Sequence, residues 1–186
     1  MQLLSLLEES PIIAAVKEKE GLERCFKTDC QVIFVLFGTI CDITEITARI
    51  KEQGRTAIIH ADLIAGLGAK EVAVQFIRES TRADGIISTK PALLKHAREL
   101  GLFAIQRSFL VDSLALAGLK KQLDAFKPDA VEIMPGVMPK ILKTVREYTG
   151  IPLIASGLLS DKRDVLAAFD AGADAVSMTK EELWYI

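Results

Sequence analysis

Eight short apolar runs recur along these 186 residues at the spacing of one strand–helix unit. They cover 12–16, 31–37, 56–60, 84–88, 103–107, 129–134, 152–156 and 175–178, and their starts lie roughly 19 to 28 residues apart. A parallel strand needs a crossover of about a dozen or more residues before the next one, usually a helix with short loops. Eight such units predict an α/β fold of one kind, a TIM-type (β/α)8 barrel forming a compact single domain over residues 1–186. Barrels of this type usually need about 250 residues, so the loops must be minimal or one unit degenerate. A hydrophobic fraction of 50% and a mean hydropathy of +0.29 suit strands covered on both faces.

Between the runs the residues repeat with helical periodicity. Ala69, Val72, Ala73, Phe76 and Ile77 form one apolar stripe, repeated by Met138, Ile141, Leu142 and Val145 and by Val165, Ala168 and Phe169. Leu116, Leu119, Leu123 and Phe126 follow a looser version. Asp42 with Glu45 has capping-box spacing ahead of Ile43, Ile46 and Ile50. Gly54, Gly101, Gly150 and Gly172 separate helical patterns from the next strand, where a left-handed helix end favours glycine. Pro91 suits a first helical turn. The first unit is the weakest, since residues 17–30 are charged and loosely periodic, and the last helix is expected to be short, over 180–184.

A barrel of this type gathers its functional groups at the carboxyl ends of the strands. Those ends carry His60 and Asp62, Ser88 and Lys90, Gln106 and Arg107, Glu132, Ser156 and Gly157, and Thr179 and Lys180. In many such barrels a phosphate rests on the loops after strands seven and eight and on the start of a short extra helix. Gly157 would let a backbone N–H approach an anion closely. Thr179 and Glu182 have the spacing of a capping box, which marks a helix start, and Lys180 adds a positive charge. The plainer reading makes Gly157 a turn residue and Thr179 a cap, with Glu181 and Glu182 occupying the helix end.

The remaining strand ends each admit more than one role. Lys90 fits an anion-binding cation, a surface partner of some acid, or a Schiff-base nucleophile if desolvation lowers its pKa. His60 and Asp62 share strand parity and would point to one side. They suit hydrogen bonds to ligand hydroxyls better than a metal, for which His60, Asp62 and Glu132 offer too few ligands. No metal and no cofactor is expected. Arg107 and Glu132 either pair with each other or divide, Arg107 to an anion and Glu132 to hydroxyls. Gly136, after Pro135, either shapes its loop or bares its backbone to a ligand.

Composition narrows the class. The longest apolar stretch, Val32 to Cys41, contains Gly38 and Thr39 and stops at Asp42, short of the ~18 residues a membrane span requires. An apolar start followed by Glu8 and Glu9, with no basic region before it, argues against a signal peptide. Cys25, Cys30 and Cys41 form an odd set without a Cys-x-x-Cys pair, as expected of reduced thiols in a cytoplasmic protein. With 23 basic against 25 acidic residues and a pI near 5.8, the bulk charge gives no support to nucleic-acid binding. Basic residues do recur on helices, as in Lys140 with Lys143 and Arg146, and Lys162 with Arg163.

Five segments carry a family resemblance: Pro11 to Lys17, His60 to Leu67, Gly85 to Lys90, Ile105 to Ser113, and Met134-Pro135-Gly136 with Pro139-Lys140. In this order and spacing the chain resembles the glycerol-3-phosphate-responsive antiterminator family, bacterial regulators of glycerol-uptake operons. The resemblance implies a TIM-type barrel that senses glycerol-3-phosphate and acts on leader mRNA to prevent transcription termination, without catalysis. Two stretches depart from the expected pattern. Ser156-Gly157 stands where a Gly-Gly pair is expected, and Met178-Thr179-Lys180 where small hydroxyl residues are expected.

The expected function is therefore a ligand-gated, RNA-binding regulator. Phosphate would lie on Gly157 and Thr179–Lys180 with Lys90 or Arg107 as counter-charge, and His60, Asp62, Gln106 and Glu132 would read the glycerol hydroxyls. Gly136 and Ser156 complete the expected ligand-binding set. A homodimer would double any basic face. Two other readings stay open. One is an enzyme on a small phosphorylated substrate, aldolase-like through Lys90 or isomerase-like through Glu132 or Asp62; the other is a barrel serving as a protein-interaction scaffold.

Overall fold

Every one of the eight apolar runs forms a strand in the computed structural model, which describes residues 3–186. The strands are β1 (Ile12–Val16), β2 (Val32–Val35), β3 (Thr56–His60), β4 (Gly85–Ser88), β5 (Phe103–Phe109), β6 (Ala130–Met134), β7 (Leu153–Ser156) and β8 (Ala175–Met178). Each pairs in parallel with the next in sequence, and β8 closes on β1 to complete the barrel. Seven helices make the crossovers: α2 (Lys19–Cys25), α3 (Ile43–Glu52), α4 (Glu71–Ser80), α5 (Pro91–Glu99), α6 (Ser113–Ala125), α7 (Pro139–Tyr148) and α8 (Lys162–Asp170). They are preceded by α1 (Leu3–Glu9) and followed by a 3-10 helix, Glu181–Tyr185. The loosely periodic first unit forms a helix of only seven residues.

The strand register fixes what fills the barrel. Alternate strands bring Ile13, Ile58, Ile105 and Ile154 to one height, a layer of four fully buried isoleucines. Above it lie Phe34, Ile87, Glu132 and Ser177, and above these Ala15, His60, Arg107 and Ser156. Below it the interior is lined by Val32, Ala130 and Ala175. There α1 acts as a plug: Leu3 and Leu7, one helical turn apart, pack into the interior cluster. Full burial of each such side chain is worth about 1.5–3 kcal/mol. Leu3 and Leu7 are thus part of the core.

The lower rim has a repeated polar device. Asp84, Asp129 and Asp174 each precede a strand and accept a hydrogen bond from a backbone N–H of the preceding strand, at Ala57, Ala104 and Leu153 respectively (2.7–2.8 Å). A cation completes each one: Lys51 on Asp84, Arg98 near Asp129 and Arg146 on Asp174.

Helix ends follow the expectations in part. Pro91 opens α5, and Gly54, Gly101 and Gly172 adopt left-handed conformations, whereas Gly150 does not. The capping box at Asp42 does not form. Its carboxylate bonds instead to the N–H and hydroxyl of Thr39, which shapes the loop before α3.

Candidate functional site

At the carboxyl ends of the strands a cavity of about 460 Å³ opens into the barrel. Its walls include Leu36, Met134 and the loop Gly157–Ser160, together with Arg107 of β5 and Thr179 and Lys180 after β8. Small side chains at Ala15 and Ser156 leave a way down to Ser177, which is fully buried and whose Oγ has no hydrogen-bond partner in the protein. This depth follows from the layering: a larger residue at either position would seal the layer above Ser177.

Beside that floor, Glu132 occupies the same layer as Ser177 and is fully buried. One oxygen accepts from Arg107 Nε; the other, Oε1, has no partner. The structure shows the ion pair between Arg107 and Glu132, and of the two only Arg107 lines the cavity. His60, 2% exposed, lies one layer higher with Nδ1 unpartnered. Burial, reinforced by the Arg107 charge and only partly offset by Asp62, pushes its pKa down to about 4. At neutral pH it is an uncharged hydrogen-bonding group.

Other expected site residues take different places. Gln106 does not face the mouth. Strand alternation turns it outward with Ala104 towards the helices, where its Nε2 donates to Gln122 Oε1 on α6. Asp62 and Lys90 form a separate cluster at the top of β3 and β4. The Asp62 carboxylate accepts from Ser88 Oγ (2.9 Å), Thr89 N (2.8 Å), Thr89 Oγ1 (3.0 Å) and Lys90 Nζ (2.8 Å). Burial opposes the charge there, but these four donors outweigh it and hold the pKa at about 2. Lys90 is 45% exposed and bound to that carboxylate, the surface-pair arrangement, and neither residue lines the cavity. A Schiff-base lysine would need a desolvated amine, which this position does not supply.

Gly136 is also outside the cavity lining. Its N–H donates to the carbonyls of Ser156 and Gly157, and a Cβ on it would fall 2.8 Å from Ser156 N. It shapes the β7 loop from behind. That loop turns through two left-handed residues, Gly157 (φ +76°) and Leu158 (φ +60°), and neither Leu158 nor Leu159 donates its N–H to any group among the described residues.

The capping box at Thr179 is likewise absent. The final 3-10 helix begins at Glu181 with Lys180 as its N-cap, and no side chain caps it. Glu181 is drawn to Arg24 on α2, which lowers its pKa, so it does not block the mouth. Lys180 Nζ donates to Ser160 O (2.7 Å) and ties the β8 end to the β7 loop. Of the expected set, the structure thus brings Arg107, Ser156, Gly157, Thr179 and Lys180 together around the cavity, whereas His60 and Glu132 are buried in the barrel interior outside its lining. Ser177, which the sequence reading passed over, is the added member; a hydroxyl inside an otherwise apolar strand was its only signal.

Comparison with known proteins bears on this geometry. A family model described as glycerol-3-phosphate responsive antiterminator matches residues 12–184. The chain is 47% identical over 184 residues to the uncharacterized protein YgcP of Escherichia coli strain K12, covering 99% of this chain and 96% of that one. The crystal structure of the glycerol uptake operon antiterminator regulatory protein from Listeria monocytogenes matches with a TM-score of 0.90 at 28% identity, covering 93% of this chain and 94% of that chain. A glycerol uptake operon antiterminator-related protein from Thermotoga maritima matches with a TM-score of 0.82 at 29% identity, covering 94% of this chain and 98% of that chain.

Proposed function

This chain belongs to the glycerol-3-phosphate responsive antiterminator family, and we propose on that footing that it binds glycerol-3-phosphate in the barrel mouth and relays the bound state to leader mRNA of glycerol-utilisation operons. The observation that carries the ligand half is one cavity that joins two cations, Arg107 and Lys180, to an unpartnered buried hydroxyl, Ser177. The phosphate sits between Arg107, Lys180, Thr179 and the backbone of the Gly157–Ser160 loop. The glycerol end points down, towards Ser177, Glu132 and His60. Ser156 takes the place of a second glycine without closing the cavity.

For RNA, the supporting feature is local. Lys140 and Lys143 on α7 and Lys162 on the neighbouring α8 are exposed and take part in no ion pair among the described residues, whereas Arg146 and Arg163 are paired with Asp174 and Asp161. Phosphate contacts by such lysines bind without sequence preference and weaken with salt. A second copy would double this face. The role is that of a cytoplasmic regulator without catalysis, in keeping with the family's description.

The test is a thermal-shift comparison of glycerol-3-phosphate, glycerol and inorganic phosphate, followed by leader-RNA binding across a ligand titration. Stabilisation by the phosphate ester well beyond the other two supports the ligand. RNA affinity that stays flat from zero to saturating ligand removes the coupling, because a ligand shifts a state only through differential affinity.

A further inference from the structure

The longest strand, β5, runs on to Phe109 and leads almost directly into α6, the longest helix. The junction is unusually apolar for a surface: Phe109 is 52% exposed, Val111 79% and Leu114 78%. No other stretch of this length among the described residues exposes three large apolar side chains. Contiguous patches of this kind mark interaction sites. Beside the patch, a groove of about 280 Å³ separates the end of β5 from α6 and is lined by Phe109, Leu110, Ala115, Gly118 and Leu119. Gly118 lies inside a 13-residue helix, where glycine costs stability relative to alanine. A Cβ on it would meet nothing within 4 Å, so one copy of the chain has no packing need for the glycine. What a glycine permits there is close approach by another backbone.

Knob and hollow therefore share one patch. Leu114 and Gly118 lie one turn apart, and with Lys121 and Ala125 they follow the i, i+4, i+7, i+11 spacing of a single helix face. A surface that carries both complements can meet itself across a twofold axis. Charge agrees with this. Asp112, the N-cap of α6, gives one oxygen to Ala115 N (2.7 Å) and makes no ion pair among the described residues. Lys121, farther along the stripe, is exposed and makes none either. We propose that this face is a homodimer interface, on which α6 of a second copy lies antiparallel. Leu114 of each copy enters the hollow at Gly118 of the other, and the same register sets Lys121 beside Asp112 of the other copy. The pairing does not depend on what the mouth holds.

The experiment is sedimentation of the full chain over a concentration series. One helix pair with its flanking loop makes a small interface, so wild type should dimerise with a Kd on the order of 10 µM. Gly118→Arg fits the single copy and improves helix propensity, so its Tm in dilute solution should equal or exceed that of wild type while its Kd rises at least ~30-fold. Lys121→Glu should raise Kd about tenfold by facing Asp112, and Asp112→Asn, which keeps the cap, should bring that variant back to within about threefold of wild type. Wild type that stays monomeric up to about 300 µM overturns the proposal. A dimer that Gly118→Arg leaves intact overturns it as well, because the interface then lies elsewhere. Loss of the dimer in Gly118→Arg without the Lys121→Glu effect and its relief overturns the antiparallel register. Should Gly118→Arg fail to fold, Leu114→Glu, which changes only an exposed side chain, carries the same outcomes.

Discussion

The two ends of this barrel's interior treat polar groups in opposite ways. At the lower rim, Asp84, Asp129 and Asp174 each tie one strand to its neighbour through a backbone N–H and carry a cation as well. Beneath the isoleucine layer the interior is apolar and plugged by Leu3 and Leu7. At the upper end, His60 Nδ1, Glu132 Oε1 and Ser177 Oγ are buried with no partner. Such groups persist only where something outside the fold satisfies them or where the rest of the structure carries their cost. One end of the barrel interior is closed by its own apolar side chains, and the other leaves three buried polar atoms without a partner.

This contrast can be broken in four places. The largest effect should come from Ile58→Ala in the layer beneath both groups, about 4 kcal/mol of lost stability in urea denaturation. A loss under ~1 kcal/mol would mean that this layer is not packed as described. Next comes pH. The His60 pKa is depressed to about 4, so the unfolded chain takes up a proton first, below its ordinary value near 6.5. Stability is therefore complete above that ordinary value and falls as pH drops towards 4, by about 3 kcal/mol from this residue. The difference between wild type and His60→Gln across that window isolates it; parallel curves would contradict the buried, neutral imidazole.

The third test sets the rims against each other directly. Asp174→Ala should cost about 2 kcal/mol of stability and leave ligand affinity unchanged. Ser177→Ala should change stability by less than about 0.5 kcal/mol, since its hydroxyl has nothing to lose inside the protein, yet weaken glycerol-3-phosphate binding about tenfold. Reversed outcomes would erase the distinction. The smallest effect belongs to Lys90→Ala. Its pair with Asp62 is half exposed and outside the cavity, so binding should move by less than about threefold in titration calorimetry. A tenfold loss would bring Lys90 back into the site.

Much of this architecture was legible along the chain. The run at 12–16 became β1, 56–60 became β3 and 175–178 became β8 without a change of boundary, because parallel strands buried on both faces leave unbroken apolar runs. Local chemistry was less dependable. Asp42 and Thr179 both had cap spacing, and they failed for different reasons: Asp42 is held by Thr39 in its own loop, whereas after Thr179 the chain stays extended through Lys180, with Glu181 drawn across to Arg24. The plug Leu3–Glu9 was missed because seven residues show too little periodicity to separate a helix from a tail.

By itself the sequence determined that strands and helices alternate eight times and that polar groups gather where the strands end. Only the closed barrel decided which of those groups share a cavity. Gln106 and Arg107 are chain neighbours, yet one bonds to Gln122 on α6 and the other lines the mouth. A strand with two apolar faces carries the alternation but not its phase. That phase is set when β8 pairs with β1 and the stagger of the ring puts Glu132 and Ser177 at one height.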